Sequence, residues 1–214
     1  MEAFTTKRLH RRDFEKLAAV LPASLALAAL HERSAGIVLA QSGEAAGTTT
    51  LAPTPQCGDD EDLAATLQQT AGPFYTPDTP ERISLLEPGM AGTRLVVSGH
   101  VYSTDCQPIP RALLDFWQAD DAGIYDNQGY RLRGHQFADD EGRYELETIV
   151  PGLYPGRTRH IHVIAQAPDG PILTTQLYFP DEPANATDGI FDPALVMDVA
   201  DEADGKIAYF TFVL

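Results

Sequence analysis

Two histidines, His160 and His162, stand two positions apart in the apolar run His160-Ile161-His162-Val163-Ile164-Ala165. In an extended strand, residues i and i+2 face the same side with Cα atoms about 6.5–7 Å apart, so two such imidazoles can close on one metal ion with bonds near ~2 Å. Ordinary strand histidines share this spacing, so the neighbours carry the argument. Gly152-Leu153-Tyr154-Pro155-Gly156 is a turn that presents a tyrosine at the entry of the strand, with Arg157 and Arg159 beside it. A phenol close to a metal cation and two guanidinium groups ionises readily, because positive charge favours the phenolate. No acidic residue lies between Pro151 and Gln166. That weakens a site of two histidines and one local carboxylate, and it weakens a zinc hydrolase, which wants a carboxylate base or a third histidine. His135, in Gly134-His135-Gln136-Phe137, is the chief rival ligand; His100 sits in a strand-like run where a satisfied sheet histidine is the plainer reading.

The elements that must position these groups read as short strands. Leu95–Tyr102, Ala112–Gln118, Arg143–Ile149, His160–Ala165, Leu173–Phe179 and Ile207–Leu214 are β-rich, and Gly, Asp and Pro turns separate them. Arg143–Ile149 alternates polar and apolar residues, as a half-buried strand should. No long helical period appears in this half, so the spacing predicts an all-β sandwich. Trp117 reads as core.

Upstream the character changes. Arg11-Arg12-Asp13-Phe14-Glu15-Lys16 precedes an apolar run from Leu17 to Leu30. The run is too short to span a bilayer comfortably but fits an export signal of the twin-arginine type. Residues 1–40 are therefore expected to be a signal segment, 41–69 a flexible linker and short helix, and 70–214 the sandwich. After signal removal no stable membrane span is expected, and the protein should lie in the periplasm or outside the cell. The first forty residues hold six basic and four acidic groups; the whole chain carries −16, so the remainder carries −18. Such a surface repels phosphate backbones and excludes nucleic acid as a partner. Cys57 and Cys106 are the only cysteines. In an oxidising compartment they read as one disulfide, with two unpaired thiols as the alternative.

Several motifs in one order make the chain similar to a known family. They are Thr70-Ala71-Gly72-Pro73-Phe74-Tyr75, Trp117-Gln118-Ala119-Asp120-Asp121-Ala122-Gly123-Ile124-Tyr125, Arg133-Gly134-His135, Asp140-Glu141-Gly142-Arg143-Tyr144, Thr148-Ile149-Val150-Pro151-Gly152-Leu153-Tyr154-Pro155, His160-Ile161-His162 and Thr175-Gln176-Leu177-Tyr178-Phe179. Over roughly residues 57–214 the sequence resembles the intradiol ring-cleavage dioxygenases, of the catechol and protocatechuate 3,4-dioxygenase type. The resemblance implies Fe(III) held by Tyr125, Tyr154, His160 and His162, with Tyr154 and His162 axial. It places Arg157 and Gln176 beside a bound catechol-type substrate, and it implies cleavage between the two hydroxylated carbons with O2. Tyr154 would also leave the metal and take a proton.

Two departures from the family pattern stand out. The stretch from the Tyr-Pro turn to the histidines is short, Gly156-Arg157-Thr158-Arg159, so the rim should be more open and Arg159 could share the role of Arg157. The larger helical dimerisation region of the catechol-specific members has no counterpart here; the oligomeric state stays open. A non-catalytic transthyretin-like binding module and a zinc hydrolase built on His135, His160 and His162 are the readings from other classes.

Overall fold

Alternation of buried and outward residues builds the strands of this protein, as the computed structural model shows for residues 63–214. The chain order is β1 (Arg94–Tyr102), β2 (Leu113–Trp117), β3 (Arg133–Phe137), β4 (Arg143–Ile149), β5 (His160–Gln166), β6 (Ile172–Tyr178), β7 (Asp198–Glu202), β8 (Gly205–Tyr209) and β9 (Phe212–Val213). One sheet runs β4-β1-β8-β7 with β9 added to β1; the other runs β3-β2-β5-β6. Leu95, Val97 and Val101 of the first sheet and Leu114, Phe116, Ile161, Val163 and Leu177 of the second are buried in one apolar cluster between them. The all-β sandwich expected from the spacing is the fold observed.

Two strands escape the periodicity argument. β3 (Arg-Gly-His-Gln-Phe) buries Arg133 and Gln136, and β7 (Asp-Val-Ala-Asp-Glu) is an acidic edge. Edge strands carry charge because it discourages pairing with other chains, and this erases the apolar alternation.

The run expected as one strand over 207–214 is divided. β8 and β9 both pair in parallel with β1, and the register continues from Ser98↔Tyr209 to Val101↔Phe212. At the break the Phe210 carbonyl accepts from the Tyr144 hydroxyl at 2.9 Å. It lies so close to Gly99 that a Cβ there would be 1.7 Å from the Phe210 oxygen.

The short helix expected before residue 70 is absent from the described part, residues 63–69. The backbone N–H groups of Leu63, Thr66 and Gln69 donate instead to the carbonyls of Thr104, Val213 and Thr174, at 2.7, 3.0 and 2.7 Å. N–H groups that each donate to a distant carbonyl cannot also serve a helical ladder. Residues 59–62, the linker and the signal segment lie outside the described residues. Cys106 is disulfide-bonded, and Cys57 lies outside the described residues. No helix among the described residues is long and apolar enough to cross a membrane.

Gly99→Ala should lower stability by about 1–3 kcal/mol, because the added methyl forces the Phe210 carbonyl or β1 to move. Urea unfolding measures this, and an unchanged midpoint would contradict the close approach.

Candidate metal centre

β5 opens with His160 and His162, both buried and on one face of the strand. A backbone carbonyl can only accept, so the 2.6 Å contact between Thr158 O and Nδ1 of His160 places that ring's proton on Nδ1. Its Nε2 therefore presents a lone pair. That atom lies 3.2 Å from Nε2 of His162 and 3.1 Å from the hydroxyl of Tyr125. One lone pair cannot satisfy two donors at once. Two buried ligand-type atoms, the Tyr125 hydroxyl and Nε2 of His162, thus gather around Nε2 of His160 at roughly the 3.0–3.6 Å separation of neighbouring donors around an ion with bonds near ~2.1 Å. The donor set fits a metal ion.

Electrostatics keep the site ready for one. Burial lowers the pKa of His160 to about 4, with the Thr158 carbonyl opposing and Arg157 adding to the effect. Burial, then the neighbouring His160, Arg157 and Arg133, hold His162 far below its usual value. Both rings are neutral at pH 7, as ligands must be. Nδ1 of His162 makes no hydrogen bond of ordinary geometry, although the Thr70 backbone lies near enough to favour its protonation. Burial pushes the Tyr125 phenol well above its usual value, against the pull of Arg157 and Arg133. A bound cation would reverse that balance.

Several segments wall the site. Trp117, opposite His162 in the β2–β5 register, lies parallel to its imidazole with centroids 4.9 Å apart. Trp117 is core, as expected, and it also props a candidate ligand. The segment 70–75 crosses the other side. Gly72, at φ +65, leaves only 3.4 Å between a would-be Cβ and Cε1 of His162. Phe74 stacks on Tyr125 at 4.6 Å and meets Tyr154 edge-on at 5.4 Å. Tyr75 packs on Trp117 at 4.9 Å and donates to Asp115 at 3.3 Å, so it does not line the site directly.

The two tyrosine loops are locked back to back. Gly152 donates to the Asp120 carbonyl at 2.7 Å. A Cβ on Gly152 would stand 2.3 Å from the Gly123 nitrogen, and one on Gly123 2.2 Å from the Leu153 oxygen. Only a glycine pair lets these loops meet, which brings the Tyr125 and Tyr154 rings to 5.8 Å. Tyr154 is half-buried, makes no hydrogen bond to the other three, and lines a groove of about 340 Å³ with Leu153, Arg157 and Asp188.

Arg157 and Gln176, which the resemblance put beside a substrate, lie side by side. Nη2 of Arg157 donates to Oε1 of Gln176 at 2.7 Å, and Gln176 stands opposite His162 in the β5–β6 register. Arg159 turns elsewhere, to Glu182 at 2.7 Å and to the Pro151 carbonyl, so it does not share Arg157's position. His135 is remote from the histidine pair and bonds to Thr79, its Nδ1 lying 2.8 Å from the Thr79 carbonyl. Among the described residues no cluster of three or more His, Cys, Asp or Glu groups could hold a metal, which removes the three-histidine zinc arrangement. No role for Asp188, Thr158 or Arg133 follows from the sequence alone. Nothing local to Asp188 links it to a site thirty residues earlier.

The dioxygenase family profile, Dioxygenase_C, matches residues 70–212. Hydroxyquinol 1,2-dioxygenase of Rhizobium sp. (strain MTP-10005) is 30% identical over 147 residues, covering 56% of this chain and 50% of that protein. The protocatechuate 3,4-dioxygenase beta chain of Burkholderia cepacia is 36% identical over 118 residues, covering 47% and 50%. The chain thus spans about half the length of these curated relatives. Among solved structures, the dioxygenase domain of a dioxygenase–carbohydrate-binding protein fusion from Streptomyces sp. SirexAA-E is 55% identical with a TM-score of 0.69, covering 71% of this chain and 98% of that one. A profile matched across more than half of the sequence, on this sandwich, makes the chain a member of the intradiol ring-cleavage dioxygenase family.

Proposed function

We propose that this chain holds a non-haem Fe(III) through Tyr125, Tyr154, His160 and His162 and cleaves a catechol-type ring between its two hydroxylated carbons, incorporating both atoms of O2. The observation that carries this reading is that the Tyr125 hydroxyl and Nε2 of His162 both stand within 3.2 Å of the lone-pair nitrogen of His160. A sandwich serving only as a binding module has no use for such a crowded, desolvated donor set. When bound, ferric iron would take the catechol as a dianion and make its ring reactive toward triplet oxygen.

The protein's own groups supply the rest. Two phenol protons must leave the substrate. Tyr154, at the groove and outside that tight group, is the tyrosine that would accept one of them on its phenolate oxygen, becoming a neutral phenol. Tyr125 lies under Phe74, where burial outweighs the pull of Arg157 and Arg133 and favours the neutral phenol, so a bound cation would be what makes it anionic. Arg157, held from behind by the buried Gln176, faces the groove, where its guanidinium would stabilise negative charge that develops on the opened ring. Trp117, Phe74 and Gly72 exclude water from the ligand side, which strengthens these interactions. Small catechols and O2 are the partners. The Arg11-Arg12 signal pattern leads us to place the enzyme outside the cytoplasm, and a disulfide at Cys106 suits an oxidising compartment.

Purified protein is expected to be burgundy from a tyrosinate-to-Fe(III) band, with about one iron per chain, and to consume oxygen with catechols. A colourless preparation that neither takes up iron nor consumes oxygen with any of a panel of catechols would end this reading. Tyr154→Phe should bleach or shift the band; an unchanged spectrum would remove Tyr154 from the ligand set. Arg157→Gln should keep the iron and lower kcat by about 10²–10³, the usual cost of one lost electrostatic donor. A kcat equal to wild type would show that the guanidinium does not act on the reacting ring.

A further inference from the structure

The stretch between Tyr154 and His160 is short, yet it makes a specific set of contacts with a segment twenty-odd residues downstream. Glu182 accepts from Nε of Arg159 at 2.7 Å. Asn185 accepts from Oγ1 of Thr158 at 2.6 Å. Asp188 accepts from Nε of Arg157 at 2.9 Å. Three residues spaced by three thus engage three consecutive residues in reverse order. The 3₁₀ turn Pro183–Ala186, extended by the Asp188 N–H bonding the Ala184 carbonyl at 3.0 Å, explains the spacing, since at about 3.0 residues per turn side chains i and i+3 share a face.

Asp188 does more than pair with Arg157. Its Oδ2 also accepts from the backbone N–H of Thr158 at 2.8 Å, and its Oδ1 from that of Ile190 at 3.1 Å. The carbonyl of that same Thr158 bonds Nδ1 of His160. The Asp188 side chain is 2% exposed and that of Arg157 20%. Burial opposes ionisation of Asp188, but the two N–H donors and the guanidinium together keep its carboxyl below the usual range. The carboxylate is a charged, fully engaged anchor. With Nε on Asp188 and Nη2 on Gln176, the guanidinium plane is set by two bonds.

We infer that Asp188, at the end of the clamp formed by Glu182, Asn185 and Asp188, is a positioning residue that fixes the Arg157 guanidinium and the Thr158 peptide beside the metal ligands. The inference rests on the dioxygenase reading for its kinetic readout only. The short connection has one turn bond of its own, from the Arg157 N–H to the Tyr154 carbonyl at 3.0 Å, and the clamp adds from outside the rigidity that catalytic positioning requires.

The test is Asp188→Asn in the full chain, alone and combined with Arg157→Gln. The expected result has three parts. Iron content and the phenolate band stay as in wild type while kcat falls roughly 10- to 100-fold, within the range for a displaced electrostatic donor. Backbone hydrogen exchange over 157–160 becomes faster. In the Arg157→Gln background the substitution lowers kcat by less than about twofold, the non-additivity of residues acting through one group. A wild-type kcat in Asp188→Asn, or a loss that multiplies with that of Arg157→Gln, would overturn the inference. If Asp188→Asn does not yield folded protein, Asp188→Glu enters the same cycle, because it keeps the charge and displaces the guanidinium by one methylene. A wild-type protein inactive toward catechols would defeat the dioxygenase reading alone; exchange at 157–160 still decides the clamp, and unchanged exchange overturns it.

Discussion

The hydrogen bond from Nδ1 of His160 to the Thr158 carbonyl, 2.6 Å long, determines which nitrogen of that ring is left with its lone pair. Were the proton on Nε2 instead, the face toward Tyr125 and His162 would present a donor, and no cation could be held there. The same bond ties the ring to Thr158, a residue whose N–H is held by Asp188 and whose hydroxyl is held by Asn185. The setting of the His160 ring thus involves a loop of the 180s, far away in sequence. Burial then keeps the rings neutral, since desolvation disfavours the imidazolium.

Ligand-type residues are supplied by two kinds of support. His160 and His162 belong to an inner strand of a sheet, where β2 and β6 flank them on both sides. Tyr125 and Tyr154 lie on loops, and loops need another source of precision. They obtain it from contact between Gly123 and Gly152, which have no side chains to separate the backbones. The rings converge because one pair is placed by the sheet and the other by a close backbone approach against it. Tyr154 is the less buried of the two tyrosines, and it borders the groove.

Charge is arranged against the protein's average. A chain of net charge −16 surrounds this site with Arg133 and Arg157. Arg133 is fully buried, and its Nε and Nη2 bond the Asp126 carbonyl at 3.0 and 2.6 Å. Arg157 is neutralised on one side by Asp188 and directed by Gln176 on the other. In the proposed chemistry, anionic phenolates and a dianionic substrate would be tolerable in such a place because fixed positive groups replace the water they lose.

The histidine pair, the tyrosine turn and the order of the motifs were legible in the chain, because strand alternation and turn chemistry act over a few residues. They were enough for the β-sandwich and the family. Edge strands β3 and β7 were not legible, since charge and buried polar groups hide their alternation. Nor was the fate of the two arginines: Arg157 and Arg159 are equivalent by spacing, and only the approach of Glu182 and Asp188 separates them. Residues 63–69, read as a helix turn, are held extended by three distant carbonyls. What the sequence by itself determined was the chemistry available on each short element. What the tertiary structure alone decided was which of those groups meet, because the carboxylates, carbonyls and glycines that orient them come from segments whose proximity is created by packing the two sheets.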